Sequence, residues 1–254
     1  MSCIILTNKD ILRIMSKAFE GLEDIRIQIS DGLRIFGINK MSTIFYNMFI
    51  PISSLYEADE SGVTVSTESF SSLLSLALAD SLTEFRELNI SIENESHANF
   101  TITGKHSQIK ETLFKVPSGI KTEPPQIKTL NFSKAAVSNI ESPRDYKLVY
   151  KHFNAIQNFV SNVEPIEIKV VSDGLELMPL RQSQHLHKLL GVSKRKAKSL
   201  ISLPNIKLTS EVSDLAGING LKIYVIDNAV MKFRYSLGSG YLEYIVSRAV
   251  EPEI

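Results

Sequence analysis

The stretch Ile29-Ser30-Asp31-Gly32-Leu33 decides the fold, because it returns 142 residues later as Val171-Ser172-Asp173-Gly174-Leu175. The same shift carries residues 10–22 onto 152–164, and it carries Phe70 and Leu73 onto Val212 and Leu215. With a shift of 133, a later set of apolar positions coincides: Leu88, Phe100, Ile109 and Leu113 fall on Leu221, Phe233, Leu242 and Val246. A deletion of about nine residues in the second copy accounts for the change. Two halves with one plan indicate a duplicated fold.

Composition limits the classes of protein to which this chain can belong. Its 254 residues are enough for two domains of about 125 residues, and an apolar content of 43% supports a core in each. Lys and Arg together number 28, as do Asp and Glu, which excludes a globally basic nucleic-acid-binding protein but not a local basic face. The single cysteine, Cys3, excludes a disulfide framework and a multi-cysteine zinc site.

Targeting and membrane signals are missing from the sequence. No apolar run approaches the roughly 20 residues of a membrane-spanning helix. The N-terminus has Asn8, Lys9 and Asp10 close behind a short apolar run, which is not the layout of a signal peptide. The sequence therefore predicts an intracellular protein with no membrane partner.

The first half predicts strands interrupted by two helices. Asn8 is a typical N-cap, and apolar residues at helical spacing follow it from Ile11 to Leu22. Alternation over 25–29 predicts a strand, and Ser30-Asp31-Gly32 predicts a hairpin turn in which the glycine can take a positive φ. Strands are then expected at 33–36 and 43–50, a second helix capped by Thr67 at 68–80, and strands at 88–92, 98–102 and 109–116.

The second half predicts the same order. We expect a strand at 146–151, helices at 152–163 and 210–216, and strands at 166–171, 221–226, 231–237 and 241–246. Between the halves, 118–144 contains Pro124-Pro125 and several lysines, which is typical of a linker. The predicted organisation is a first domain at 1–117, a connector at 118–144 and a second domain at 145–254. Each domain is α+β, with two helices on one face of its sheet.

Signals for an enzyme are weak. Cys3 lies in an apolar strand, where a buried structural thiol is expected rather than a nucleophile. His185 and His187 have a spacing that could bind a metal, but no third ligand is suggested nearby. Gly238-Ser239-Gly240 opens a strand rather than a helix, so it predicts a hairpin turn and not a phosphate-binding loop. We predict no catalytic residue, no metal and no cofactor; a metal-dependent hydrolase on a β-rich scaffold is the remote alternative.

Three stretches of the chain resemble one known family. They are residues 27–39, followed by the strand 43–51; Phe114-Lys115-Val116-Pro117, which leads into the linker; and the C-terminal run 231–251. In their order and spacing, and with the internal duplication, they resemble DNA sliding clamps of the proliferating cell nuclear antigen (PCNA) type. The likeness spans essentially the whole chain and is greatest to divergent archaeal members, whose rings can combine different subunits.

The resemblance implies a DNA-clamp fold and a topological function. Three such chains would form a homo- or heterotrimeric ring around duplex DNA, with helices lining the hole and sheets forming the rim. The ring would tether DNA polymerase, flap endonuclease and DNA ligase, would be opened by a clamp loader, and would hold DNA weakly and electrostatically. The compartment would be the cytoplasm in an archaeon, or the nucleus for a eukaryotic or viral protein. The alternative is a specialised clamp-like subunit, of checkpoint or viral type, that forms no homotrimer.

The resemblance also implies DNA-facing cations. Lys9, Arg13 and Lys17 share one face of the first helix at i, i+4 and i+8, which is equally the pattern of an ordinary solvated face. The remaining candidates lie in inter-strand loops: Lys40, Lys194, Arg195, Lys196 and Lys198. The run 194–198 is otherwise an import signal or a solvated loop. Since 68–80 contains no Lys or Arg, a heteromeric ring with more basic partners is a hypothesis at this point.

Partner and subunit contacts follow from the same resemblance. An apolar pocket would be formed by Ile38, Met41, Ile44, Ile120, Ile127, Val230, Ser247, Ala249 and Val250, unless these are local core residues. The chain departs from the family at Asn39, where Asp is usual, at Ser247-Arg248, where Ala-Pro is usual, and in its linker lysines Lys121 and Lys128. Subunits would pair through edge strands at 110–116 and about 182–190, with contacts from Lys110, Thr112, Phe114, Val116, Gln184, Leu186 and Lys188; a monomer with covered edges is the alternative.

Overall fold

The computed structural model describes residues 2–51, 61–79, 84–117, 130–142, 165–180, 187–190 and 193–250, together with Asp145, Lys151 and Ala155. The chain divides into two compact units. Unit 1 is Met1–Pro124 with Ser239–Leu242, and unit 2 is Pro125–Gly238 with Glu243–Ile254. The division falls inside the predicted linker, whose bounds of 118 and 144 stay a prediction.

Unit 1 contains two helices and two sheets. The helices are α1 (Lys9–Ala18) and α2 (Thr67–Leu78). The strands are β1 (Ser2–Leu6), β2 (Asp24–Ile29), β3 (Gly32–Ile38), β4 (Ile44–Pro51), β5 (Ser61–Ser66), β6 (Glu87–Asn94), β7 (His97–Thr103) and β8 (Gln108–Phe114). One sheet has the order β1-β6-β7-β8, and the strands β5-β2-β3-β4 are neighbours in a second.

Helix α1 forms for the reasons that its sequence predicts. The Asn8 side chain accepts a hydrogen bond from the backbone N–H of Asp10, which satisfies one of the unpaired donors of the first turn. Its buried residues, Ile11, Leu12, Ile14, Met15 and Ala18, form a stripe at helical spacing, so the helix is anchored by its apolar face. In α2 the N-cap is Ser66 and not Thr67, which is already the first helical residue.

Unit 2 contains the second copy. Its first described elements are a 3₁₀ turn (Phe132–Lys134) and β9 (Ala136–Ile140), and the α-helix with a fully described range is α3 (Leu203–Ser210). The other strands are β10 (Ile166–Val171), β11 (Gly174–Pro179), β12 (His187–Leu190), β13 (Ala197–Ile201), β14 (Leu221–Val225), β15 (Met231–Leu237) and β16 (Gly240–Val246), which belongs to unit 2 from Glu243 onward. The strand orders are β12-β11-β10-β13 and β16-β15-β14-β9.

The repeat appears in the burial of the strands, with one shift that the sequence did not reveal. The buried residues Leu88, Ile90 and Ile92 of β6 correspond at 133 residues to Leu221, Ile223 and Val225 of β14. After the first hairpin turn the predicted shift of 142 also holds. Before that turn, however, the buried residues of β2 match those of β10 at a shift of 141: Ile25, Ile27 and Ile29 correspond to Ile166, Ile168 and Val170.

The two hairpin turns differ in length, and this explains the slip. Ile29 pairs with Leu33, so three residues form the first turn. Val171 pairs with Gly174, so two residues form the second. Gly32 does not need a positive φ; a Cβ there would lie 2.5 Å from the Ile50 carbonyl oxygen, so β4 passes too close for any side chain.

Two predicted elements of the second copy differ from the structure: the strand at 146–151, which is contradicted at Lys151, and the helix at 210–216. The first strand of this copy is β9, which lies inside the predicted linker and pairs with β14. The strand predicted at 146–151 does not reach Lys151, which is helical; residues 146–150 lie outside the described part, as does the helix predicted at 152–163 except for Ala155, which is helical.

The helix predicted at 210–216 is also wrong, because the helix ends where that prediction begins. Ser202 is the N-cap of α3, and Pro204 lies in its first turn, where the missing N–H costs nothing. The hydroxyl of Thr209 donates to the carbonyl of Asn205 at 2.9 Å. Turns follow as far as Gly217, whose φ of 92° no helix accommodates.

Each copy closes with the same backbone hydrogen bond. In unit 1 the N–H of Val116, just after β8, donates to the carbonyl of Thr64 in β5 at 3.0 Å. In unit 2 the N–H of Ala249, just after β16, donates to the carbonyl of Leu200 in β13 at 2.9 Å. The segment that leaves each unit is therefore fixed to the strand that precedes a helix: β5 before α2 in unit 1, and β13 before α3 in unit 2.

Tyr235 ties α3 to its sheet. The ring is fully buried, and its hydroxyl donates to the carbonyl of Thr209 at 2.7 Å. Burial raises the pKa of the Tyr235 phenol well above its ordinary range. Since the unfolded chain loses this proton near pH 10 and the folded chain keeps it, unfolding above that pH releases a proton.

We expect Tyr235→Phe to lower the free energy of unfolding at pH 7 by about 1–2 kcal/mol, because the Thr209 carbonyl loses its donor. Above about pH 10 the wild type loses up to about 1.4 kcal/mol per pH unit from this phenol, so the gap between the two proteins narrows. Urea denaturation from pH 7 to 11 measures both effects. A gap that widens above pH 10 would contradict the account.

Candidate functional site

The three basic residues of α1 lie on one helix face, but two of them are paired with acids. Arg13 Nη1 lies 2.9 Å from an Asp10 carboxylate oxygen, and Lys17 Nζ lies 2.6 Å from Glu20. Both pairs are substantially exposed to solvent, so each adds little stability and water competes for both partners. The pairs affect the local charge of the helix face more than its stability, because two of the three cations stand beside a carboxylate.

A depression of about 480 Å³ lies between α1 and α2. Arg13 and Lys17 border it from α1, Glu20 from the turn after that helix, and Ser71 and Leu78 from α2. Helix α2 carries Glu68 in its first turn and no basic residue in its last. All positive charge at this depression therefore comes from α1.

Lys40 lies in a five-residue loop that Asn39 organises. The side-chain oxygen of Asn39 accepts from the backbone N–H groups of Thr43, at 2.8 Å, and Ile44, at 2.9 Å. Its amide nitrogen donates to the Thr43 hydroxyl at 2.9 Å. Lys40 itself pairs with Glu23 at 2.6 Å. The residue that departs from the usual Asp thus performs the acceptor function that an Asp would also perform.

The basic run 194–198 divides into two parts. Lys198 lies in β13 and pairs with Glu167 of β10 at 2.9 Å. Lys194, Arg195 and Lys196 are exposed in the turn before that strand, and among the described residues no acidic group lies within ion-pair distance of them. Arg195 instead donates to the carbonyl of Ser133 at 3.2 Å.

The structure separates the predicted pocket residues of unit 1. Met41 is 71% exposed at the tip of the Asn39 loop. Ile38 pairs with Phe45 across β3 and β4, so those two side chains share a face of the sheet. Ile44 is fully buried and, as the neighbour of Phe45, points to the opposite face. Phe45 is also buried, at 2% exposed, so both residues belong to the core, whereas Ile38 is half-buried.

The other predicted pocket residues fall into two groups. Ile120 and Ile127 lie outside the described residues. In unit 2, Val230 belongs to the turn before β15, where its carbonyl accepts from the N–H of Ile226 at 3.2 Å. Ser247, Ala249 and Val250 follow β16, and Val250 is 86% exposed.

Strand β8 has the exposure expected of a pairing edge. It is the end strand of its sheet, and its register with β7 puts Lys110, Thr112 and Phe114 on one face. Phe114 is 72% exposed, and its ring lies 6.2 Å from that of His97. Val116 follows the strand and is held by Thr64. On the other predicted edge, Lys188 lies in the end strand β12, while Gln184 and Leu186 lie outside the described residues.

A cluster that the sequence analysis did not find fixes the start of the second copy. The ammonium group of Lys232 lies 4.5 Å from the ring centres of both Phe132 and Tyr224 and 3.3 Å from Glu243. Arg234 lies 3.0 Å from the same carboxylate. Burial raises the pKa of the Tyr224 phenol, with Arg234 opposing and Glu243 adding to the shift. Only the alternation in β15 hinted at this face.

The described residues contain neither a candidate metal site nor a candidate membrane-spanning helix. In that part of the chain, no group of three or more His, Cys, Asp or Glu side chains is placed to hold a metal ion. No helix within the same residues has the length and apolar character needed to cross a bilayer.

We expect Asn39→Ala to destabilise unit 1 by about 1–3 kcal/mol, because the N–H groups of Thr43 and Ile44 lose their acceptor. Asn39→Asp should cost less than about 1 kcal/mol, because a carboxylate oxygen accepts from both groups and the Thr43 hydroxyl can turn to donate to it. Chemical denaturation of the two variants measures the difference. Equal losses in both would show that the acceptor is not what holds the loop.

No family model matches the chain, and no curated protein matches it. Its fold, by contrast, is similar to solved structures over nearly its full length. The A. fulgidus PCNA bound to the C-terminal region of FEN-1 has a TM-score of 0.75 and 17% identity, with all of both chains covered. The PCNA2–PCNA3 complex from Sulfolobus tokodaii has a TM-score of 0.74 and 20% identity, and PCNA from Thermococcus kodakaraensis has a TM-score of 0.73 and 14% identity. Both matches cover 98% of this chain and all of the matched chain. At these identities the likeness concerns architecture, and on that basis the chain has the PCNA clamp fold.

Proposed function

We propose that this chain is a ring-forming subunit of a DNA sliding clamp, a processivity factor that encircles duplex DNA. The observation that carries the proposal is the likeness in fold to PCNA structures over 98–100% of the chain. Encirclement is topological, so the activity requires no catalytic residue and no cofactor. The cations of α1, with Lys40, are the groups that we assign to DNA in unit 1.

Partners are proposed from the solved complexes. The FEN-1 complex supports a flap endonuclease as one partner class, and the PCNA2–PCNA3 complex supports a second clamp chain. DNA polymerase, DNA ligase and the clamp loader are further partners of a ring that acts in replication and repair. Met41 and Val250, which are 71% and 86% exposed, are the residues that we assign to partner peptides.

The subunit contact is assigned to β8. An end strand leaves backbone N–H and C=O groups without partners, and an exposed aromatic residue beside them favours association with a second chain. Phe114 is that residue. On the opposite end strand of the same sheet, β1, Ile5 is also exposed, at 54%, and it provides a matched comparison.

We expect Phe114→Asp to abolish self-association or association with a partner clamp chain, because an unpaired carboxylate in a closed interface is strongly unfavourable. Light scattering of the purified chain, alone and with a candidate second clamp chain, measures the mass. Ile5→Asp, a matched change on the other end strand, should leave the mass unchanged. Loss of association in Ile5→Asp, or its survival in Phe114→Asp, would place the contact elsewhere.

One observation favours a ring with non-identical subunits. Over α1, α2 and α3, the basic residues are Lys9, Arg13 and Lys17 in α1 and Lys207 in α3, and two of the α1 cations are paired with acids. Since a clamp holds DNA by charge, more basic partner chains would supply what this subunit lacks. The candidate is therefore a heteromeric clamp subunit that forms no homotrimer.

We expect Asp10→Asn with Glu20→Gln to strengthen binding of the assembled protein to duplex DNA several-fold, because Arg13 and Lys17 lose their acidic partners. The salt dependence of binding should steepen accordingly. Fluorescence anisotropy with a short duplex at several salt concentrations measures both quantities. Glu84→Gln, which frees Lys105 from a similar exposed pair at 3.0 Å, is the control and should change little. A gain in log affinity about half as large in this control, which removes one negative charge instead of two, would mean that only total charge matters.

A further inference from the structure

A groove of about 490 Å³ runs along one face of β9 in unit 2. Its floor consists of alternate residues, Ala135, Val137, Asn139 and Glu141, so a single face of the strand lines it. Val137 and Asn139 are half-buried, and Ala135 is buried. The volume lies within the range of sites that bind small ligands or short peptide segments.

The wall of the groove is the basic turn before β13. Ser193, Lys194 and Arg195 line it. The Ser193 hydroxyl donates to the carbonyl of Arg195 at 2.7 Å, which gives the turn a defined shape. Arg195 reaches across to the carbonyl of Ser133 at 3.2 Å, so its guanidinium closes one end of the groove while its other N–H groups remain available to a ligand.

Charge is distributed unevenly along the groove. Arg195 lies at the Ser133 end, and Lys194 and Arg195 differ from Arg13, Lys17, Lys40 and Lys198 in having no acidic partner among the described residues. Lys222 adds a further cation, because it pairs with Asn139 across β14 and β9 and so shares this face. The one carboxylate in the lining, Glu141, is engaged by the Asn139 amide at 2.5 Å.

The register of the sheet shows which way the groove faces. Ile140 pairs with Leu221, and Leu221 pairs with Tyr235, whose hydroxyl bonds to α3. Those three residues therefore share the face that α3 covers. Val137 and Asn139 alternate with Ile140 along β9, so the groove lies on the opposite face. If α3 lines the hole, as the proposed function requires, the groove faces away from the encircled DNA.

We propose that this groove binds an extended acidic peptide segment of a partner protein. Apolar side chains of the segment would lie on Ala135 and Val137, and a carboxylate would pair with Lys194 and Arg195, for which guanidinium is well suited. The Glu141 end disfavours acidic residues, so the segment has one preferred direction. The orientation away from DNA rests on the proposed function, whereas the groove and its charge do not.

A direct binding measurement tests the proposal. The probe is a panel of fluorescein-labelled twelve-residue peptides that alternate Val or Leu with Asp or Glu, and fluorescence anisotropy is recorded with the full chain. We expect saturable binding that falls about tenfold or more in the double variant Lys194→Glu with Arg195→Glu. Val137→Asp should weaken binding comparably, because it puts a carboxylate on the floor. Panels with Lys in place of the acidic residues should not bind.

Lys196→Glu is the matched control, since Lys196 lies in the same exposed turn but does not line the groove. A change of about twofold or less there supports a defined site. An equal loss would overturn the proposal in favour of diffuse attraction to the turn. The proposal would also be overturned if no acidic peptide bound saturably. It would equally be overturned if binding of a short DNA duplex depended on Lys194 and Arg195 while binding of the peptides did not.

The measurement separates this inference from the proposed clamp function. Peptide binding is repeated with Phe114→Asp, which tests assembly at β8 and leaves the groove intact. Unchanged peptide affinity in that variant is expected, and it would hold whether or not the chain forms rings. Loss of peptide binding with assembly would show that the groove alone is not the site.

Discussion

A sheet that lies under a helix must bury every second side chain, and most of this structure depends on that constraint. Strands β6 and β14 meet it with the same three positions, Leu88, Ile90 and Ile92 in one copy and Leu221, Ile223 and Val225 in the other. A slip of one residue in either strand would move all three to solvent. The apolar alternation therefore fixes the register, and the register determines which polar side chains share the opposite face.

The architecture was predictable because this alternation survives in the sequence, but the junctions between elements were not. The motif around Ser30 and that around Ser172 are nearly identical, yet one turn has three residues and the other has two. The side chains of the motif do not encode that difference; the pairing of the flanking strands decides it. The predicted position of α3 was also wrong. The helix starts near Pro204, in a segment whose apolar residues show no clear helical spacing.

The candidate surfaces were predictable at the level of residue type and much less at the level of contact. The positions of Arg13 and Lys17 on one helix face follow from spacing, but their pairing with Asp10 and Glu20 also depends on rotamers. Which of Ile44 and Phe45 shares a face with Ile38 could not be predicted, because the length of the Asn39 loop sets the alternation of β4. The groove on β9 could not be foreseen, because β9 itself fell within the segment assigned to the linker.

The bond that closes each module has a mechanical consequence. Thr64 precedes the N-cap Ser66 of α2 by two residues, and Leu200 precedes the N-cap Ser202 of α3 by two. The exit segments are hydrogen-bonded to β5 and β13: the N–H of Val116 donates to the carbonyl of Thr64, and the N–H of Ala249 donates to the carbonyl of Leu200. A force applied to either exit segment would therefore reach a backbone carbonyl that lies only two residues before the N-cap of a helix.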